Sequence, residues 1–405
     1  MTFFLSIKTY NDFIRKKLIV PIIIISFLIT DALVVDKKKN NIIEKDLKEY
    51  RIIYISYLEY FSNFYGGSKS INQGKIDKMI DNIKELDFNT IMLHVSPFSD
   101  SIYNSNILPY SYTLTGIEGK YPGFDYLEYF IKKAHSKNIF VHAWINPYRV
   151  SFSSDINKLS HDNPAYKLLN TTSIGINKNG IYFNPASEIV KDLIVNEVLE
   201  IINNYDVDGI HFDDYFYINY DIDSEEYNNY QKNNGTMSLS EFRMSHVNDL
   251  IKRVYNTIKK KNKDIIFSIA PDGNINNNYK YHYADIKTWL KESGYVDIIM
   301  PQIYYGLENE YSPFDKVLNN WINLNKIKIK IIPTLAIYKC GSIDKEAGNG
   351  KNEWLDNNDI IEREVNLIRS KKLSGFSLFR YDFIFNDDLC VNEMTNLKKI
   401  LKNGS

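Results

Sequence analysis

The chain contains very little cysteine: among its 405 residues only Cys340 and Cys390 are cysteines. Two thiols exclude a disulfide-rich scaffold and any zinc cluster built from cysteines. They can pair with each other, but we expect them to be free buried thiols. The formal net charge is only −1, so no overall basic field argues for a nucleic-acid partner. We also find no internal repeat, and no shift in composition after Arg51 that would mark a second domain.

The N-terminus has the pattern of an export signal. Basic residues at positions 15–17 precede an apolar run at positions 18–30, which is the layout of a secretory signal. The run is shorter than the roughly 20 residues of a membrane-spanning helix, although residues 32–35 nearly complete that length. No clear cleavage site follows. We therefore predict a signal peptide or an uncleaved signal-anchor helix over residues 1–35, followed by a polar tether over residues 36–50. Both alternatives predict an exported body, either secreted to the cell envelope or anchored at the outer face of the cytoplasmic membrane.

Eight short runs rich in β-branched and aromatic residues alternate with amphipathic helical patterns in the rest of the chain. The predicted strands are Arg51–Tyr57, Thr90–Val95, Ile139–Ile145, Val207–Phe212, Ile265–Ile269, Val296–Ile303, Ile329–Leu335 and Gly375–Phe379. The clearest helical patterns are Lys75–Leu86, Phe124–Lys137, Ala186–Asn203 and Leu239–Lys261. Regular alternation of strand and helix indicates a parallel sheet. Eight units favour a closed (β/α)₈ barrel, forming one catalytic domain over residues 51–402, and a doubly wound open sheet is the alternative.

The segment Asp206–Tyr217 is the most informative part of the chain. It begins as a short apolar strand and ends in two carboxylates, Asp213 and Asp214, beside several aromatic residues. The C-terminal ends of parallel barrel strands are where ligands bind and reactions occur. Because side chains alternate along a strand, we expect His211, Asp213 and Tyr215 to share one face. A solvated strand end is the simpler explanation, but aromatic residues next to acids favour a site that handles sugars.

Polar and aromatic side chains also follow the other predicted strands. In a barrel these strand ends open onto one face, so the side chains converge however distant they are in sequence. Carboxylates, amides and aromatic rings are the groups that bind sugar hydroxyls and stabilise an oxocarbenium-like transition state. Our candidate substrate-binding residues are His94, His142, Trp144, Asn146, Tyr148, Arg149, His211, Tyr215, Gln302, Tyr304 and Arg380.

Several long motifs in the same order resemble the glycosyl-hydrolase-like family 10 proteins of the bacterial envelope. The motifs occupy residues 121–127, 134–139, 142–149, 182–186, 208–217 and 300–305. The resemblance extends from about Arg51 to Tyr381. It implies a (β/α)₈ barrel and, for some members of the family, hydrolysis of peptidoglycan glycan strands.

Two further resemblances concern the acids. Residues 208–215 are similar to a chitinase signature in which a run of aspartates ends in a catalytic glutamate. Tyr215 occupies that position here, which argues against the substrate-assisted chitinase mechanism. Aligned on an amylase-like pattern instead, Asp213 falls on the nucleophile and His211 on a supporting arginine. This is an analogy between barrels.

The leading hypothesis is hydrolysis of a glycosidic bond of a cell-wall polysaccharide by two carboxylates, without a cofactor. Asp213 would act as nucleophile or base. The protonated partner would be Asp214 or Glu59, and Glu59 is slightly favoured. Asp214 would otherwise be a structural acid.

Two alternatives remain open. His94, His142 and His211 lie on three consecutive predicted strands, and with Asp213 they could hold zinc in an amidase or deacetylase acting on the same polymer. Their spacing does not show the close pairing usual in such sites, so we expect no metal. The third hypothesis is a barrel that binds glycans without cleaving them.

Overall fold

The computed structural model describes residues 44–217 and 221–402. The predicted signal or anchor, and most of the predicted tether, lie outside these residues. From Lys48 onward the chain forms one compact unit. A 3₁₀ turn at Glu44–Asp46 precedes its first strand, which begins at the buried Tyr50.

Nine strands form one parallel sheet. They are β1 (Tyr50–Ile55), β2 (Thr90–Ser96), β3 (Phe140–Ile145), β7 (Gly209–Phe212), β8 (Ile266–Ile269), β9 (Ile298–Ile299), β10 (Lys330–Ile331), β11 (Thr334–Leu335) and β12 (Gly375–Leu378). Their order in the sheet is β10-β9-β8-β7-β3-β2-β1-β12-β11. Every residue of β1 and β2 is buried, as expected for strands that are covered on both faces.

The sheet closes because β10 and β11 are two halves of the predicted seventh strand. Pro333 separates them, since proline has no N–H to give to a strand ladder. On one side, the backbone N–H of Ile332 donates to the carbonyl of Ile299 (3.0 Å). On the other, the N–H of Ser377 donates to the carbonyl of Pro333 (2.9 Å). The predicted (β/α)₈ barrel is therefore confirmed.

Helices follow the strands in the predicted alternation. The α-helices are Tyr57–Asn63, Lys69–Glu85, Tyr112–Thr115, Tyr126–Ser136, Pro164–Leu168, Glu188–Asn204, Ser224–Lys232, Leu239–Lys261, Ile275–Asn277, Ile286–Trp289, Phe314–Leu324, Glu353–Asp356, Ile360–Ser370, Tyr381–Phe385 and Val391–Lys402, and a π-helical turn spans Asn278–His282. All four helices predicted from the sequence are present, and Leu239–Lys261 has the predicted bounds.

The helix Leu239–Lys261 shows why these segments pack as they do. Its buried residues Val247, Leu250, Ile251 and Val254 recur three and four positions apart, which places them on one apolar stripe facing the core. Among the described residues, none of the helices combines the length and the hydropathy that crossing a lipid bilayer requires.

A small antiparallel sheet lies on the segment that follows β3. It contains β4 (Arg149–Ser151), β5 (Ile174–Asn177) and β6 (Gly180–Phe183), in the order β4-β6-β5. Because β4 begins four residues after β3 ends, this sheet fixes the position of Arg149 at the end of the barrel where the strands terminate. Cys340 and Cys390, at the other end of the chain, are both buried free thiols.

Candidate active site

The C-terminal ends of the barrel strands surround a cavity of about 280 Å³. Its lining consists of Tyr54, Ser56, Tyr57, Leu58, His94, Trp144, Asn146, Arg149, Asp213, Asp214, Tyr215, Ala270, Gln302, Tyr304 and Phe379. The convergence of strand ends predicted from the sequence is therefore present in the structure, and the two adjacent aspartates are part of it.

Asp213 is the more buried of the two acids. It follows β7 directly and is only 4% exposed. One of its carboxylate oxygens accepts a hydrogen bond from the backbone N–H of Tyr215 (3.2 Å). Burial raises the pKa of Asp213 to about 8, the neighbouring Asp214 carboxylate adds to the rise, and the Arg149 guanidinium opposes it. The surroundings of Asp213 therefore favour the protonated, neutral form of its carboxyl group.

Asp214 has surroundings that favour its ionised form more. Burial raises the pKa of Asp214, but the cationic form of His282 and a hydrogen bond from the Gln302 side chain oppose the rise. The Nε2 atom of His282 lies 3.8 Å from a carboxylate oxygen of Asp214 and 3.8 Å from one of Asp272. Burial disfavours protonation of His282, yet the two carboxylates outweigh it and raise its pKa. One protonated and one ionised aspartate can thus coexist.

The same three residues are the only group in the described parts of the chain with the composition and proximity of a metal site: Asp214, Asp272 and His282 offer ligand atoms within 4.8 Å of one another. The two acids and the raised histidine pKa also account for this cluster as an ion-paired network without a cation. The histidines considered for zinc in the sequence, His94, His142 and His211, are not part of it.

Trp144 is held in place at the cavity wall. Its indole stacks on the His94 ring, with the ring centroids 3.6 Å apart and the planes 11° from parallel. The indole N–H donates to the side-chain oxygen of Asn146 (3.1 Å). The Tyr54 ring packs edge-on against the indole at 5.4 Å. His94, Trp144 and Asn146, which all line the cavity, are thus held together as one preorganised unit.

Arg149 and Tyr215 form another part of the cavity wall. The guanidinium carbon lies 3.7 Å from the centroid of the Tyr215 ring and 4.7 Å from that of Phe152. Arg149 is buried, whereas Tyr215 is 36% exposed. Stacking on aromatic faces fixes the cation, and the cation in turn fixes the exposed tyrosine ring at the rim.

His142 and His211 do not line the cavity, although both were predicted to bind substrate. His211 is fully buried. Its ring nitrogens lie 3.1 Å from the Tyr54 hydroxyl and 2.8 Å from the Ser268 hydroxyl. His142 is also fully buried, and a Cβ added to Gly209 would meet its ring at 2.5 Å. Both histidines lie inside the barrel below the aspartates, where His211 supports Tyr54.

Tyr148 also departs from its predicted role. It lies in the bend that directly precedes β4, whose first residue is Arg149. The Tyr148 ring is 1% exposed and belongs to the hydrophobic core. The charges that affect its hydroxyl are those of Asp249, Arg253 and Glu188, which lie on two helices outside the barrel. Tyr148 therefore stabilises the fold and does not face the cavity.

Glu59 and Arg380 form a buried ion pair instead of lining the cavity. Glu59 is fully buried, and its carboxylate accepts hydrogen bonds from the Arg380 guanidinium (2.5 Å) and from the backbone N–H of Asp382 (3.1 Å). Its second oxygen accepts from the backbone N–H (2.8 Å) and hydroxyl (2.6 Å) of Ser56, completing a capping box at the start of helix Tyr57–Asn63. Glu59 was predicted as the catalytic acid and Arg380 as a substrate-binding residue. In the structure they pair with each other, and neither lines the cavity.

Several residues at the site were not among the candidates, and four of them carry aromatic or titratable side chains. Tyr54, Tyr57 and Phe379 line the cavity, and His282 contacts its acids. Tyr57 and Phe379 are the last residues of predicted strands, so the rule that found Gln302 would have found them too, whereas Tyr54 lies in the middle of its predicted strand. His282 belongs to the π-helical turn Asn278–His282, for which the sequence carries no comparable signal.

The comparisons with known proteins agree with this architecture. The family model glycosyl hydrolase-like 10 matches residues 50–354. Glycosyl hydrolase YngK of Bacillus subtilis is 31% identical over an alignment that spans 73% of this chain and 60% of that protein. Glycosyl hydrolase DigH of Escherichia coli K12 is 30% identical, over 77% of this chain and 76% of its own length.

Solved structures share the fold at low sequence identity. The glycoside hydrolase domain of PgaB (BpsB) from Bordetella bronchiseptica has a TM-score of 0.59 and 13% identity, covering 87% of this chain and 99% of that domain. The catalytic domain of a β-amylase from Paenibacillus polymyxa has a TM-score of 0.54 and 8% identity, covering 88% and 99%. With a family model that matches most of its length, this chain belongs to the glycosyl hydrolase-like 10 family.

Proposed function

We propose that this protein is a glycosidase that cleaves a bacterial cell-wall polysaccharide, with peptidoglycan glycan strands as its substrate. The observation that carries the proposal is the pair of adjacent carboxyl groups of Asp213 and Asp214 in an aromatic-lined cavity at the mouth of the barrel, where burial raises the pKa of Asp213. Membership of a hydrolase-like family and the names of the relatives support it. The basic and apolar N-terminus supports action outside the cytoplasm, by a secreted or membrane-anchored form, which fractionation of expressing cells would test.

The electrostatics favour a definite division of roles. Glycoside hydrolysis requires one carboxyl group that protonates the leaving oxygen and one carboxylate that acts as nucleophile or activates water. Asp213, with its raised pKa, suits the acid. Asp214, whose charge is stabilised by His282 and Gln302, suits the carboxylate. Asp213 thereby takes the acid role in place of the nucleophile or base role that the sequence suggested, and Asp214 replaces Glu59 as its favoured partner. The sequence shows which acids are adjacent but not how each is surrounded.

The aromatic residues of the cavity would position the sugar. Trp144, fixed by His94 and Asn146, lines the cavity together with Tyr304 and Phe379, so that these aromatic side chains would contact the sugar. The amide of Gln302, which donates to the carbonyl of Ala270 (2.8 Å), is held rigidly next to Asp214. Groups fixed before the substrate arrives lower the entropic cost of reaching the reactive geometry.

The direct test incubates the full chain with peptidoglycan glycan strands freed of their stem peptides and identifies the products by mass spectrometry. A glycosidase releases shorter glycans with new reducing ends. A deacetylase releases acetate from intact strands, and an amidase acts only on strands that still carry peptides. Repeating the reaction with a metal chelator distinguishes a glycosidase from a metal-dependent amidase or deacetylase further, because the carboxylate mechanism predicts unchanged turnover after metal removal. Binding without any product would identify a non-catalytic barrel.

The pH dependence gives an independent test of the acid. Because Asp213 must be protonated to donate, kcat/KM is expected to fall as the pH rises through its pKa of about 8. At lower pH the rate is expected to fall again when Asp214 becomes protonated, so the profile should be bell-shaped. Initial rates on stripped glycan strands at constant ionic strength would measure it. A rate that continues to increase above this pKa would show that Asp213 acts as a base.

A further inference from the structure

A second cavity lies beside the active-site cavity and is larger, at about 700 Å³. We call it the side groove. It is formed by the segments that follow β2 and β3, and its wall includes Phe98, Tyr112, Ile117, Phe152 and Lys158. Neither Asp213 nor Asp214 lines this cavity.

The side groove and the active-site cavity share one layer of side chains. Tyr57, which lines the active-site cavity, packs edge-on against Phe98, with the ring centroids 4.9 Å apart, and lies 5.9 Å from Phe152. Arg149, also in the active-site lining, lies over the Phe152 ring. Phe98 and Phe152 contact each other at 4.7 Å. The two cavities are therefore neighbours along a continuous aromatic wall.

The chemistry of the side groove matches that of the active-site cavity. Phe152 is 49% exposed and Ile117 is 61% exposed, so apolar surface faces solvent there, which costs free energy unless a ligand covers it. Ser153, Asn157 and Lys158 place hydroxyl, amide and ammonium groups along the same walls. Aromatic faces interleaved with hydrogen-bonding groups are suited to pyranose rings, which present apolar C–H faces and hydroxyl rims.

We propose that the side groove binds further sugar units of the same polysaccharide strand whose glycosidic bond is cleaved next to Asp213 and Asp214. This inference rests on the proposed function. It assigns the enzyme a cleft long enough for several sugars on one side of the cleaved bond, and therefore a preference for long strands over short fragments. Phe152 is the central contact of the groove, because it lines the groove, contacts Tyr57 and Arg149 of the active-site lining, and is half exposed.

The test compares Phe152→Ala with Tyr311→Ala. Tyr311 is also an exposed aromatic residue, at 68% exposure, but it lines neither cavity. The substrates are peptide-free glycan strands sorted into long strands and di- or tetrasaccharide fragments. We expect Phe152→Ala to lower the ratio of kcat/KM on long strands to that on short fragments by about tenfold, the size of one aromatic stacking contact. Tyr311→Ala should leave this ratio unchanged.

A binding arm separates this inference from the proposed function. In the Asp213→Asn background, which is expected not to turn over, adding Phe152→Ala should weaken binding of long strands measured by calorimetry. If the wild type cleaves glycan strands but Phe152→Ala keeps the same preference for long strands, the proposed role of the side groove is wrong and the proposed function still stands. If the wild type cleaves no glycan, the proposed function is wrong. If, in addition, Asp213→Asn and the double variant with Phe152→Ala bind long strands with equal affinity, the proposed role of the side groove is wrong as well.

Discussion

Replacing Asp213 with asparagine is expected to lower kcat on stripped glycan strands by roughly 10²–10⁴-fold, the usual contribution of a general acid. Asparagine has nearly the same volume but no acidic proton to donate to the leaving oxygen. The fold should tolerate the change well. Burial keeps the Asp213 carboxyl neutral up to a pH of about 8, so the substitution replaces one neutral buried polar group with another. Single-turnover kinetics together with a melting curve would measure both effects.

Asp206→Asn is the matched control for this prediction. Asp206 belongs to the same segment of chain, but it precedes β7, whereas Asp213 follows it, and its side chain is 95% exposed. Its replacement should change neither rate nor stability. If Asp213→Asn retained more than a tenth of the wild-type rate, equivalent to a change of less than about 1.4 kcal/mol in the barrier, Asp213 would not be the acid. The roles would then pass to Asp214.

The fold was predictable because it depends on patterns with short periods. Strands that are covered on both faces read as continuous apolar runs, and the eight runs in this chain correspond to eight strand positions in the barrel. The differences are local. The seventh run is divided at Pro333, which was visible in the sequence. Of the predicted sixth strand, only Ile298–Ile299 forms a regular strand in the structure, and an isolated β-bridge follows at Gln302.

The position of a residue around the barrel was easier to predict than its depth. Strand parity placed His142 on the inward face, and it does point inward. However, His142 pairs in register with Gly209, which precedes Asp213 by four residues. At about 3.3 Å per residue this puts His142 roughly 13 Å below the acids. Depth depends on the register between neighbouring strands, which one sequence does not show.

Contacts that depend on loops could not be predicted at all. His282 reaches Asp214 from a π-helical turn that lies more than sixty residues further along the chain. Likewise, Glu59 follows β1 closely, as a catalytic acid could, but its carboxylate turns back to cap its own helix and to pair with Arg380. In both cases the side-chain partner decides the role, and the partner comes from a distant part of the sequence.

Glu59→Gln is expected to affect stability strongly and catalysis weakly. Removing one member of a buried ion pair typically costs about 3–5 kcal/mol, and we expect the lower end of that range here, because the Asp382 carboxylate lies 3.5 Å from the Arg380 guanidinium and still compensates part of its charge. Here the change removes the charge that faces the Arg380 guanidinium, while a glutamine oxygen can still accept one of the hydrogen bonds from Ser56. At a temperature well below the lowered melting point, kcat should stay within a factor of about ten of the wild type, or about 1.4 kcal/mol.

Glu241→Gln is the matched control, because Glu241 forms the same capping box with Ser238 at the start of helix Leu239–Lys261, but on the surface and without a cationic partner. Urea unfolding should therefore show a large loss of stability for Glu59→Gln and only a small one for Glu241→Gln. A different pattern would restore the catalytic hypothesis: if Glu59→Gln kept the wild-type unfolding midpoint and lost more than a hundredfold in kcat, Glu59 would be the acid. The Arg380 pairing would then be an arrangement that opens when substrate binds.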